Sequence, residues 1–127
     1  MMRLKTDLVD VLWAATEVPG KLDQIELQWD RRTALGVVLA AHGYPMSPRK
    51  GDAITGVPHE ADDAMVFHAG SQLEGGVVRS SGGRVLCVTA LGDSVKAAQS
   101  RAYAVVNEIH FDGMQYRHDI GHRAMRN

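Results

Sequence analysis

Hydrophobic positions along the chain change their period several times, and each change marks an element. Leu4, Leu8, Val11, Leu12 and Ala15 recur at helical spacing, which predicts an amphipathic helix over 4–17, stopped by Pro19-Gly20. Ile25, Leu27 and Trp29 alternate with Glu26 and Gln28, the pattern of a half-buried strand. After a turn at Asp30-Arg31-Arg32, the stretch 34–41 (Ala-Leu-Gly-Val-Val-Leu-Ala-Ala) is apolar throughout and predicts a central strand covered on both faces.

The glycines and prolines of 42–51 predict a loop, 52–57 a short strand and 58–63 a helical turn or loop. Met65-Val66-Phe67-His68-Ala69 is a further strand, ended by Gly70. Gly75-Gly76 and Ser80-Ser81-Gly82-Gly83 flank Val77-Val78 at hairpin-like spacings, which favour antiparallel neighbours. The apolar, β-branched run over 84–91 reads as a buried strand, and Gly92 leads into a second helix over 94–110 with Asp93 as its N-cap. Val95, Ala98, Ala102, Val105, Val106 and Ile109 form that helix's apolar stripe. The expected architecture is one α+β domain, a small and mainly antiparallel sheet with a helix near each end of the chain.

Composition narrows the function classes. With 127 residues the chain can bury a sizeable core, and 14 basic against 15 acidic residues leave no global field that would favour nucleic acid or a membrane surface. Arg117, Arg123 and Arg126 make the tail mildly basic, the mark of a solvated end. Cys87 is the one cysteine, which excludes an internal disulfide and fits a reducing compartment; its place in an apolar run suits a small core residue. No apolar run is long enough for a membrane span and the N-terminus has no signal-peptide pattern, so the expected location is the cytoplasm.

No complete active site is legible. Among the six histidines, His118 and His122 stand four apart, but Gly121 between them argues against the helix a shared metal would need. Neither a nucleophile elbow nor a phosphate loop is present, because the pair Gly82-Gly83 precedes a strand rather than a helix. Gly82-Gly83-Arg84 is the most informative local feature. A glycine turn gives a backbone that side chains would block, and a fixed cation beside it is one way to hold a phosphate or carboxylate. A β-turn with a surface arginine fits the same spacing. His68-Ala69-Gly70, at a strand end, could face a cleft or be a hydrogen-bonded structural histidine.

A series of blocks carries a family resemblance. Leu35-Gly36-Val37-Val38-Leu39-Ala40-Ala41, Gly43-Tyr44-Pro45, Lys50-Gly51-Asp52-Ala53-Ile54-Thr55-Gly56 and Val66-Phe67-His68-Ala69-Gly70 occur in that order. The stretch 82–92, Ala98-Gln99-Ser100-Arg101-Ala102-Tyr103, Ile109-His110-Phe111 and Asp119-Ile120-Gly121 follow. The series resembles the C-terminal region of the phosphoribosylamine–glycine ligases, also called glycinamide ribonucleotide synthetases, which are ATP-grasp enzymes. The resemblance implies a C-terminal domain with a small antiparallel sheet and helices, akin to a rudimentary single hybrid motif. It implies an enzyme that joins 5-phosphoribosylamine and glycine with ATP, through an acyl phosphate, in de novo purine synthesis.

On that resemblance 1–24 would be the terminal helix and linker of a truncated ATP-grasp core and 25–127 the C-terminal domain. Met1 would be the start of a fragment. ATP and Mg²⁺ or Mn²⁺ would be bound by residues absent from this chain, which would help close the substrate cleft and be inactive without its ATP-grasp partner portion. No catalytic or metal-ligating residue is expected here. His68, Gly70, Gly82, Gly83 and Arg84 are the implied substrate-binding positions, with Arg84 pairing with phosphate and the glycine amides adding donors. The chain departs from the family pattern at Ser71-Gln72, where Thr-Lys is usual, at Ser81 for Asn and at His122 for Trp. A stand-alone, non-enzymatic module binding a phosphorylated ligand or a protein partner is the alternative.

Overall fold

In a computed structural model, described over residues 1–17 and 20–125, two small antiparallel sheets and two helices follow one another in an α+β arrangement. Arg126 of the basic tail and Pro19 of the expected helix stop lie outside the described residues. The elements are α1 (Leu8–Thr16), β1 (Thr33–Ala40), β2 (Ala64–His68), β3 (Ser71–Glu74), β4 (Val77–Ser80), β5 (Arg84–Gly92) and α2 (Val95–Val106). The main sheet has the order β1-β5-β2, and β3 pairs with β4 in a separate hairpin.

The core lies between α2 and one face of the main sheet. Leu35, Val37 and Leu39 of β1 share that face with Leu86, Val88 and Ala90 of β5, directly opposite one another in the register. Ala98, Ala102, Val105 and Val106 of α2 close over them, and Ile54, Ile109 and Phe111 complete the cluster. Full burial of a valine, leucine or phenylalanine side chain contributes about 1.5–3 kcal/mol, so this layer dominates the stability. The close seat of α2 needs Gly92, because a Cβ there would run into the backbone of Ala97 and Ala98.

Several expected elements differ. The run 34–41 is not a central strand: β1 is an edge strand paired with β5, and it alternates between buried and open positions. Its apolar residues on the second face are small (Ala34, Gly36) or left exposed (Val38, 43%), which a reading by hydrophobicity alone takes for burial. The alternation over 25–29 does not make a strand. That segment touches another only where Leu4 bridges Trp29, with Lys5 N donating to Gln28 O at 2.8 Å. A turn closed by Leu4 N donating to Met1 O and the pairing of Leu4 and Lys5 keep residues 2–5 out of a helix, so the first helix starts at Leu8 rather than near residue 4. Asp7 caps it by accepting from Val9 N at 2.8 Å.

The stretch 52–57 is likewise extended without becoming a strand, held by single bridges of Ala53 to Arg79 and Thr55 to His110. Gly75-Gly76 does form a hairpin turn, but its first strand, β3, has too little hydrophobic alternation to have been foreseen. The second spacing, 80–83, is no hairpin: β4 pairs back to β3, and buried Ser80 ties it to Asp52 instead. The cap of α2 is Ser94, whose Oγ accepts from Ala97 N at 3.1 Å, and not Asp93. That helix ends at Val106, short of the predicted 110.

Candidate functional site

Four of the five sequence-chosen positions meet at one end of the main sheet. Beyond β2 the chain folds over the start of β5, with Gly70 N donating to Arg84 O at 2.8 Å and both Ser81 N and Gly82 N donating to Gly70 O. This crossing is so close that a Cβ on Gly70 would lie 2.6 Å from Arg84 O and 2.8 Å from Gly82 Cα. Gly83 faces a different neighbour, since a Cβ there would lie 2.6 Å from Tyr44 Cδ2. Neither Gly82 nor Gly83 has a positive φ. Close packing therefore requires glycine at 70 and 83 and makes position 82 tight, whereas the conformation of the turn, which the sequence suggested as the reason, does not demand the pair.

The same geometry divides the amides. Those of Gly70 and Gly82 are consumed within the fold, whereas the Gly83 amide makes no hydrogen bond among the described residues. Gly83 O accepts from Ala41 N at 2.8 Å, which locks the turn onto the end of β1. Arg84, the next residue, projects from a turn held on both sides.

Arg84 stands between two hollows that share Val38. One, of about 500 Å³, is walled by Ala69, Gly70, Gly83, Leu86 and Cys87. The other, of about 380 Å³, is lined by Ala40, Tyr44, Gln115, Tyr116 and Arg117. The segment carrying the last three runs along β1, with Ala40 and Gln115 exchanging both backbone hydrogen bonds (2.8 and 2.9 Å). Tyr103 anchors it, its hydroxyl donating to Arg117 O at 2.5 Å and accepting from Ile120 N at 3.2 Å.

Charge is unevenly matched around this trough. Arg117 is paired through two nitrogens with Asp119 (2.9 and 2.7 Å), and that guanidinium lowers the Asp119 carboxyl to about 2. Arg49 bonds Asp52 and Asp112, and Arg101 bonds Asp63. Arg84, in contrast, makes no hydrogen bond or ion pair among the described residues. A fixed cation beside a free amide, with no carboxylate to neutralise it, suits an anionic group.

His68 is not part of this corner. Its ring bonds Ser71 Oγ at 2.7 Å and lines a separate hollow with Gln72, Leu73 and Val78. Tyr44, Gln115, Tyr116 and Arg117, which do line the trough, were missed as site residues. The one signal for them was Tyr44 within the Gly43-Tyr44-Pro45 block; the others come from a tail that looked merely solvated. Among the described residues no three His, Cys, Asp or Glu side chains converge. The donor set there does not fit a Mg²⁺ or Mn²⁺ cradle. No helix among the described residues is long and apolar enough to cross a membrane.

The sequence and the fold have counterparts among known proteins. The chain is 63% identical over 126 residues to the phosphoribosylamine–glycine ligase of Ralstonia nicotianae, covering 99% of the chain and 29% of that protein. It is 54% identical over 127 residues to the ligase of the same name from Escherichia coli O157:H7, again spanning 29% of it. The crystal structure of phosphoribosylamine–glycine ligase from Thermotoga maritima superposes with a TM-score of 0.65 at 38% identity, over 76% of this chain and 23% of that one. The chain thus spans under a third of the length of the relatives it matches. The model of the phosphoribosylglycinamide synthetase C domain matches residues 34–123, from β1 past the Tyr103-anchored segment, and the chain belongs to that family.

Proposed function

We propose that this chain is the C-terminal part of an ATP-dependent carbon–nitrogen ligase that joins 5-phosphoribosylamine to glycine. In that reading the Gly83–Arg84 corner takes the phosphate of the sugar substrate. The observation that carries it is Arg84: an unneutralised guanidinium beside a free amide, on a corner built by two close glycine contacts within the family-matched residues. A guanidinium and a backbone amide together make short, charge-assisted bonds to phosphate oxygens. ATP and its divalent ion would be held by the portion of the ligases that this chain does not span.

The division into 1–24 and a following domain fits the surface of the molecule. No residue of α1 is buried, and Leu8, Val9, Leu12 and Trp13 all lie exposed on it. The family model begins only at residue 34, and the second face of the main sheet carries exposed Val38 and Phe67. Apolar surface of that extent is what an enclosing neighbour would cover. The neighbour in this reading is the ATP-grasp portion, which would make the open sheet face one wall of the cleft. His68, on its separate hollow, is left out of the phosphate site, and Gly70 and Gly82 serve it by shape alone.

The test is complementation. Joined to the part of the Ralstonia nicotianae ligase that it does not span, the chain should support ATP-dependent consumption of glycine and phosphoribosylamine. Arg84→Ala in that chimera should raise KM for phosphoribosylamine roughly tenfold or more, the scale of a lost hydrogen bond to a charged group, and leave KM for glycine unchanged. An unchanged KM would remove Arg84 from the site. An inactive chimera, together with phosphate-ester binding by the chain alone, would favour a stand-alone binding module.

A further inference from the structure

Two cations, Arg84 and Arg117, line the hollow of about 380 Å³ beside Tyr44, and no acid does. Arg84 makes no hydrogen bond or ion pair among the described residues, whereas Arg117 is matched by Asp119. We infer that Asp119 is a specificity-determining residue: by neutralising Arg117 it leaves the hollow a single anion site and turns away pentose phosphates that carry a second phosphoryl group. The inference rests on the phosphate reading of Arg84 and adds the charge rule that the neighbouring wall imposes on it.

The pair is held in place by the fold. Arg117 Nε and Nη2 reach the two carboxylate oxygens of Asp119 at 2.9 and 2.7 Å. The Tyr103 hydroxyl donates to Arg117 O and accepts from Ile120 N, one bond on each side of Asp119 along the chain. Gln99 Nε2 donates to Ile120 O at 2.8 Å, and His122 Nδ1 lies 2.8 Å from Asp119 O. A Cβ on Gly121 would stand 2.7 Å from Leu35 Cδ1, so this segment is pressed onto β1. The carboxylate is thereby seated beside the hollow that Arg117 lines.

Stability does not account for the pair. Arg49 with Asp112 and Arg101 with Asp63 join segments far apart in the chain, but Arg117 and Asp119 lie two residues apart within one segment. Both side chains are open to solvent, at 72% and 47%, where an ion pair adds only modestly to folding. Its main consequence is electrostatic. With the carboxylate in place the net positive charge of the hollow resides on Arg84. A phosphate monoester there finds a guanidinium and the free Gly83 amide. A second phosphate reaching towards Arg117 meets a guanidinium with two nitrogens already engaged, beside a carboxylate that repels it. The more highly charged sugar is rejected by a repulsive group rather than by shape.

The experiment titrates the 127-residue chain with ribose 5-phosphate and with ribose 1,5-bisphosphate, followed by NMR at fixed ionic strength. The unaltered chain should bind the bisphosphate no more than about twofold tighter than the monophosphate. Asp119→Asn frees Arg117 at nearly constant side-chain size. It should raise the preference for the bisphosphate about fivefold or more, the effect of a charge-assisted bond discounted for exposure. The double variant Arg117→Gln/Asp119→Asn removes both charges and should return the ratio to that of the unaltered chain. A merely structural role for the pair would move both affinities together and leave the ratio alone. The inference is overturned by a strong bisphosphate preference in the unaltered chain, by no gain in Asp119→Asn, or by a gain that survives in the double variant. The phosphate reading fails separately, if Arg84→Ala leaves ribose 5-phosphate binding and the KM of the chimera unchanged, and the role of Asp119 falls with it. If instead Arg84→Ala weakens the monophosphate while Asp119→Asn leaves the ratio unmoved, the corner stands and only the role of Asp119 falls.

Discussion

The Tyr44 ring occupies the space that a side chain at position 83 would need, with Cδ2 only 2.6 Å from where a Cβ on Gly83 would stand. The contact couples the Gly43-Tyr44-Pro45 loop to the entrance of β5, and it links a glycine whose amide is free to an arginine whose charge is unmatched. Gly83→Ala should therefore destabilise the chain by about 1–3 kcal/mol through overpacking. In a Tyr44→Ala background the same change should cost markedly less. Urea denaturation of the four members of this cycle measures the coupling, and additive penalties would mean the ring does not control residue 83.

Arg84→Ala should leave the unfolding midpoint of the isolated chain nearly unchanged, within about 0.5 kcal/mol, because the side chain is exposed and without a protein partner. The binding change proposed for this residue would then stand apart from any folding effect. A large loss of stability would show that Arg84 is structural.

Ser94→Ala should destabilise the chain by roughly 1 kcal/mol, the usual effect of deleting an N-cap. Asp93→Ala should have little effect, since Ser94 and not Asp93 accepts from the Ala97 amide. Thermal unfolding of the two variants decides between the caps, and a reversed order would restore the assignment suggested by sequence.

Gly92→Ala should be among the most damaging single changes, roughly 3 kcal/mol or more, because backbone rather than a movable side chain blocks the added methyl. Circular dichroism should show loss of cooperative unfolding, or of folded protein. A near-neutral effect would mean that α2 can move away from β5.

Stability should fall on acidification below about pH 4. Asp30, Asp63 and Asp119 are all held below their ordinary value of 3.8 by bonds to Arg32, Arg101 and Arg117. A carboxyl with a depressed folded-state pKa favours folding above its unfolded pKa and loses that contribution as pH falls through the folded value. For Asp119 the window runs from 3.8 down to about 2. Asp119→Asn should flatten part of the decline in denaturation midpoint against pH, and a profile identical to that of the unaltered chain would contradict the pairing with Arg117.

Local pattern made much of this molecule legible in advance. The helical stripe Val95-Ala98-Ala102-Val105-Val106 forms the buried face of α2 because side chains three and four apart share a side of any helix. The strand around Val88 formed where β-branched residues cluster between glycines, and the strand around Val66 where a short apolar run ends before Gly70. The ordered blocks located the family, since they preserve positions whose reasons are spread over the whole fold. Tertiary structure alone decided the rest. Whether 34–41 would be central or at an edge depended on which strands paired with it, and apolar content does not encode pairing. Whether 25–29 would join a sheet depended on its having a partner longer than residues 3–5. Gly82 and Gly83 show the division most clearly. The sequence marked them as a turn beside a cation, but only the packing of Gly70 and Tyr44 against them explains the absence of side chains there. That same packing, made by residues far apart in the chain, leaves one amide and one arginine facing an open trough.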